Sequence, residues 1–405
     1  MKKIVIKVLM LTVLLSVSVS SYAYDFEVDG IYYNKIDGGL EVANGPHVLD
    51  YDGKISIPQE VNGMSVIAIG DDAFKERTDL VEVTIPNTVE RIGDRAFSGC
   101  EYLYSVEIPD LVKTIGDSAF RGCGISYVSI GQSVQTIGNY AFAGCKSKSI
   151  RIPDNVTHIG DYAFSYVYAL VIKLGRGLKT MGVGAFCGSD LLSSITIPDG
   201  VKKISVSAFE DCSGLTSISF GNGVEDIGDD SFNATGFITL DIPDNVKRIG
   251  ISTFGNCHQL KSLTLGRGLE TIEDGAFESC EDLEEIRCKS LIPPKAYLRS
   301  FESYLITLFV PTEAKRDYES TAPWFNFVDI RGWDFGGVNS IEKGTVNAFV
   351  SNNTVVVNGA NVGDLLEVYD VAGRLVYSGT DTTISVPTKG IYIVRVAGQT
   401  FKVAL

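Results

Sequence analysis

Ten phenylalanines recur along the chain at intervals of 22 or 23 residues: Phe74, Phe97, Phe120, Phe142, Phe164, Phe186, Phe209, Phe232, Phe254 and Phe277. Self-similarity at such a period marks a solenoid, in which each repeat is one supersecondary unit that buries its apolar face only by stacking on its neighbours. A chain of this kind is an extended surface before it is anything else.

Aligned on those rings, the repeat reads Leu-x-x-Val-x-Ile-(Pro or Gly)-x-x-Val-x-x-Ile-Gly-x-x-Ala-Phe-x-x-Cys. One copy runs through Leu103, Val106, Ile108, Pro109, Val112, Ile115, Gly116, Ala119, Phe120 and Cys123. Apolar residues two apart in Val-x-Ile have strand periodicity, and the Pro or Gly that follows stops the strand. A second extended piece, Val-x-x-Ile, ends at Gly, often followed by Asp (Asp94, Asp117, Asp161, Asp229). Such an Asp is expected to cap backbone N–H groups of the short Asp-x-Ala-Phe turn. At strand spacing, ten stacked repeats advance about 50 Å.

The strand positions flanking Val point outward and carry many hydroxyls: Ser105, Ser129, Ser149, Ser194, Thr196, Ser217, Ser219, Thr239, Ser262 and Thr264. Two readings stand side by side, small β-compatible residues that keep an exposed sheet soluble and a dedicated ligand-binding stripe. The turn after the strand alternates Pro109, Gly131, Pro153, Gly175, Pro198, Gly221, Pro243, Gly266, which implies a unit of two repeats. The Gly-x-Gly versions at Gly175, Gly221 and Gly266 lack the third glycine and long helix of a phosphate loop and read as turns.

These residues resemble the BspA-like leucine-rich repeat family of bacterial surface proteins over about residues 66–290. The resemblance implies a mainly β, right-handed leucine-rich-repeat solenoid of about ten 22–23-residue repeats with short helical turns. It also implies exposure outside the cell and adhesion or protein binding, including to host matrix proteins and other cells. It supplies no catalytic residues.

Residues 1–23 begin with Lys2, Lys3 and Lys7, continue in an apolar stretch and end in Ser21-Tyr22-Ala23, the pattern of a cleaved export signal. No later stretch approaches the roughly 20 apolar residues of a spanning helix. Loss of those three lysines takes Lys plus Arg from 35 to 32 against 50 acids, a net charge of about −18. Nucleic acid and anionic lipid are poor partners for that surface, and the same acidity keeps an exported solenoid soluble.

Six of the eight cysteines (Cys100, Cys123, Cys145, Cys212, Cys257, Cys280) lie three residues after the repeat Phe. Equivalent stacked side chains run parallel, whereas a disulfide needs Cβ atoms that lean together, so these read as buried thiols. Cys187 and Cys288 fall off the register, and a Cys280–Cys288 bridge is the pairing left open. His47, His158 and His258 share no metal-ligand spacing, and paired acids such as Asp71-Asp72 and Asp229-Asp230 sit where the turn cap recurs. No cofactor, metal or catalytic group is expected.

Residues 24–65 read as an N-terminal β cap and 291–334 as a closing cap. The aromatics of the closing cap, Trp324, Phe327 and Trp333 among them, either fill the open solenoid end or form a carbohydrate platform. A linker at 335–345 leads to a β-rich segment, 346–405, expected to form a small sandwich. Within it, Val368-Tyr-Asp-Val-Ala-Gly373-Arg-Leu-Val376 and Lys389-Gly390-Ile-Tyr392-Ile-Val394 resemble the C-terminal sorting domain of the type IX secretion system. That resemblance implies passage across an outer membrane and attachment to the surface.

The sequence thus points to an exported, non-enzymatic adhesin or binding protein, secreted or associated with the outer membrane. Its ligand-binding candidates are Ser105, Ser129, Ser149, Thr196, Ser217, Ser219, Thr239, Ser262 and Thr264. The alternative is a glycan-binding accessory protein, which exposed aromatics clustered on one face would favour.

Overall fold

The structure, a computed structural model, describes residues 24–47, 53–335, 347–351, 354–358, 365–370, 374–386, 391–396 and 399–404. The export signal, linker residues 336–345, and Val371–Gly373 and Lys389-Gly390 of the sorting-like motif lie outside them. The described residues are mainly β and divide into two compact units, one ending at Ala169 and the other beginning at Leu170.

In the first unit each repeat supplies two short strands, as the alternating apolar residues require. The Val-x-Ile strands Lys54–Ser56, Glu82–Thr84, Ser105–Glu107 and Tyr127–Ser129 pair in parallel, equivalent residue on equivalent residue. The second pieces Arg91–Ile92, Thr114–Ile115, Thr136–Ile137 and His158–Ile159 form another parallel ladder. At its start a hairpin, Phe26–Val28 against Ile31–Ile36, continues into Gly39–Val42, which pairs in parallel with Met64–Ile69. The second unit repeats the plan in Thr239–Asp241, Ser262–Leu265, Glu285–Cys288, Thr307–Pro311 and Asp329–Trp333, all parallel and in register.

The turns that bear the phenylalanines are stacked rather than helical; Lys315–Ser320 and Trp324–Asn326 are the helical segments among the described residues. Two positions per turn take left-handed backbone even without glycine: Asp72, Glu76, Arg95, Ser118, Tyr140, Tyr162 and Tyr166 have φ between 53° and 58°. Left-handed backbone costs an L-residue roughly 1–2 kcal/mol. Here it turns alternate N–H groups toward the next repeat, where Asp72, Phe74 and Glu76 donate to the carbonyls of Asp94, Ala96 and Ser98 at 2.7–2.8 Å. Those hydrogen bonds offset the strain.

The phenylalanine rings form the core of both units, separated by 5.1–5.3 Å and inclined by no more than 10° from Phe74 to Phe164. From Phe186 the stack runs through Phe277 to Phe301, an eleventh rung hidden by its 24-residue spacing. The predicted Asp caps exist, with one difference. Each side chain accepts from the backbone of the following repeat: Asp71 from Asp94 N–H, Asp94 from Asp117 and Asp117 from Asn139, at 2.7–2.9 Å. Repeats are thereby joined as well as capped.

The Pro/Gly alternation has a steric cause. A Cβ on Gly131 would lie 2.1 Å from the Pro109 carbonyl oxygen, and one on Gly266 2.3 Å from that of Pro243. The Asp after each Pro then accepts from the residue after the next glycine, as Asp110 does from Gln132 N–H and Asp244 from Arg267 N–H.

All eight cysteines are buried thiols and none is joined to another, Cys280 and Cys288 included. The ladder has a role beyond filling space: Cys100, Cys123, Cys145, Cys212, Cys257 and Cys280 each direct Sγ at 3.0–3.5 Å to the carbonyl of the preceding repeat's Phe. Burial pushes the Cys145 and Cys212 thiols up to about 12, so they stay protonated and donate. Labelling of the denatured, unreduced protein is therefore expected to count eight thiols. A count of two or fewer would show a disulfide framework instead.

His47 is the stack's first member, its ring 4.5 Å from that of Phe74 and 3 % exposed. Its Nε2–H donates to the carbonyls of Ala43 and Ala73, and its Nδ1 accepts from Tyr32 N–H. A second proton would face that N–H, and burial already depresses the imidazole to about 4. Between its ordinary value near 6.5 and 4, the unfolded chain takes up a proton that the native ring refuses. The contribution of His47 to native stability is complete above pH 6.5 and falls on acidification by about 3 kcal/mol down to pH 4. Denaturant titrations across that range should show the loss, and His47→Phe should flatten it.

The C-terminal segment forms two antiparallel sheets, Asn347–Ser351, Thr354–Asn358 and Thr383–Ser385, and Leu375–Gly379, Leu366–Asp370, Ile391–Val396 and Gln399–Ala404. Val355, Val357 and Ile384 of the first share one core with Leu366, Val368 and Val394 of the second.

Candidate functional site

Alternation along a strand sends Val inward and its two neighbours outward. In the first unit Ser129 and Ser149 are exposed and Ser105 is half-buried; in the second Ser194, Thr196, Ser217, Ser219 and Thr239 are exposed and Ser262 is half-buried. Register brings neighbours together, with Ser194 beside Ser217 and Thr196 beside Ser219. Thr264 departs from this expectation. It is 9 % exposed, on a row that continues through Arg287 and Phe309 on the adjoining strands.

The hydroxyl pattern conceals tyrosines. Tyr127 occupies the same strand row as Ser105 and pairs with it, Tyr104 precedes that serine, and Tyr102 lies just before; they are 56 %, 62 % and 66 % exposed. Their reach from a sheet of small residues is legible in the repeat alignment once Tyr127 is set on the outward row.

In the second unit the outward rows run into a groove of about 1060 Å³. Asp241, Thr264 and Arg287 stand on successive strands along its floor, with Asn222 and Asn245 in nearby turns and Trp333 on the last strand. The Arg287 guanidinium lies 5.8 Å from the Phe309 ring and 5.9 Å from the Trp333 ring, and pairs with Glu285 at 2.9 Å. The closing cap's aromatics have thus divided. Trp324, Tyr318 and Phe327 are buried at the end of the stack, whereas Trp333 is 46 % exposed.

His158 is exposed, and His258 lies 3.8 Å from Glu281 on the surface. Among the described residues no cluster of His, Cys, Asp and Glu could hold a metal ion, and no helix is long and apolar enough to cross a membrane. Elsewhere the charges cross-link repeats: Arg248 bridges Asp226, Asp229 and Glu273, and Arg95 holds the Asp72 carboxyl below its ordinary range.

Parallel single-residue-register ladders, stacked rings and an outward strand face define a leucine-rich repeat solenoid. Residues 67–192 and 179–301 match the BspA type leucine rich repeat region, in six copies. The chain belongs to the BspA-type leucine-rich repeat family, whose repeats serve interaction with other proteins. Among solved structures it is similar to a leucine-rich repeat protein from Bacteroides ovatus, 31 % identical over 71 % of this chain and 76 % of that one, with a TM-score of 0.60. It is also similar to the Treponema pallidum leucine-rich repeat protein (24 % identical, 52 % and 88 % covered, TM-score 0.39). A leucine rich cell surface protein from Faecalibacterium prausnitzii is 21 % identical, with 76 % and 98 % covered and a TM-score of 0.36. No curated protein matches the sequence.

Proposed function

We propose that the chain is an exported, non-enzymatic binding protein, an adhesin in function, whose outward strand face receives a protein ligand such as host extracellular matrix or the surface of another cell. The observation that carries this reading is the pairing of small hydroxyl residues with exposed tyrosines, Tyr104 and Tyr127 beside Ser105 and Ser129. Tyrosine supplies large, rigid contact area at low entropic cost, and hydroxyls between the rings let a partner approach the sheet closely. The ligand-binding assignment covers Ser105, Ser129, Ser149, Thr196, Ser217, Ser219, Thr239 and Ser262, with Thr264 left out because its side chain is only 9 % exposed.

Export and surface attachment fit the charged, apolar and small-residue order of residues 1–23 and the C-terminal sandwich, which we assign as a type IX-type sorting module. A screen of the chain from Tyr24 onward against immobilised matrix proteins tests the reading. Saturable binding of at least one of them is expected, and none across the panel would contradict it.

A further inference from the structure

We propose that the groove beside Trp333 is a carbohydrate site that takes a neutral oligosaccharide. This goes beyond the protein-binding face and uses different residues. The exposed indole has two packing neighbours: Arg287 lies beside it and the Phe309 ring meets it edge to face at 5.3 Å. An aromatic plane at the wall of a groove matches the C–H face of a pyranose ring, which loses little freedom on stacking.

Around the plane stand groups that pair with vicinal hydroxyls. Asp241 offers two acceptor oxygens and is exposed, and no hydrogen bond or ion pair to its side chain is found among the described residues. Asn222 adds an amide, and Asn245, whose Nδ2 already donates to the Val224 carbonyl, adds its Oδ1 as an acceptor. Among the described residues Arg287 Nε, itself closed off from solvent, has no hydrogen-bond partner.

Charge decides against an ionic ligand. Lys289 and Arg287 on the lining are opposed by Asp241, Asp244 and Asp334, while Asp244 is already engaged by Arg267 and Arg287 by Glu285. No sign dominates. The volume, just above the about 300–1,000 Å³ of small-ligand clefts, suits several linked rings better than one.

The chain has two tryptophans, and Trp324 is buried, so a ligand-dependent change in indole fluorescence reports on Trp333. The full chain is titrated with maltohexaose, mannohexaose, chitohexaose, cellohexaose and poly-N-acetyllactosamine. At least one is expected to bind and shift the emission. Trp333→Ala and Asp241→Asn should each weaken it at least about tenfold, equivalent to about 1.4 kcal/mol, while Trp333→Phe keeps part of the affinity. Binding by none of the five, unchanged affinity in Trp333→Ala, or binding only of a polyanion such as heparin overturns the proposal. Capture of matrix protein by Trp333→Ala at wild-type strength separates this site from the strand face. Loss of that capture with no sugar bound would make the groove a protein site instead.

Discussion

Phe142→Ala is expected to lower the unfolding free energy by roughly 3–5 kcal/mol, the cost of losing a fully packed ring and leaving a cavity. Phe142 stacks on Phe120 at 5.2 Å and on Phe164 at 5.3 Å and is 1 % exposed, so its removal interrupts the core in both directions. Because stability in a solenoid is close to a sum of repeat and neighbour-interface contributions, the damage stays local. Circular dichroism during denaturation should show a broadened transition. An unchanged melting curve would contradict the inward assignment of the ring ladder.

Trp324→Ala should have a comparable effect at the other end. The indole packs on Phe301 at 5.5 Å and Tyr318 at 5.2 Å, and its Nε1–H donates to the Pro294 carbonyl at 2.7 Å. Truncation removes burial worth roughly 3–5 kcal/mol and leaves that carbonyl without its donor, a further cost of about 1–3 kcal/mol. Hydrogen exchange should accelerate first at the Phe277 and Phe301 turns. Trp324→Phe should restore the packing but not the hydrogen bond. Equal protection in wild type and Trp324→Ala would show that the cap does not close the stack.

Translation of one repeat onto the next made most of the core legible in the sequence. Once Phe, Ala, Val and Ile recur at a fixed period, stacked equivalents must touch, and the Cys found three residues after six of the phenylalanines must run parallel with its copies. What spacing could not reveal is where the pattern ends by substitution. His47 replaces a phenylalanine as the first ring, and Phe301 arrives late because Ile292-Pro-Pro294 lengthens its repeat. The Asp caps were recognisable as caps, but the identity of the donor depends on the left-handed turns that face the next repeat, and residues such as Tyr140 and Arg95 give no local sign of that backbone. The groove was the least visible feature. Arg287 and Trp333 lie 46 positions apart and meet only because Glu285–Cys288, Thr307–Pro311 and Asp329–Trp333 pair in succession.

The central claim is that the outward strand face binds a protein. Its most direct test is the affinity of Thr196→Lys/Ser217→Lys for whichever matrix protein the wild-type chain captures, measured by surface plasmon resonance beside thermal melts of both proteins. Both positions are exposed, so each change should move stability by less than about 0.5 kcal/mol. The account predicts an unaltered melt and an affinity at least about tenfold weaker, as two long cations are set into a face of short hydroxyls. Wild-type affinity in the double variant, or a ligand consumed rather than bound, would contradict it.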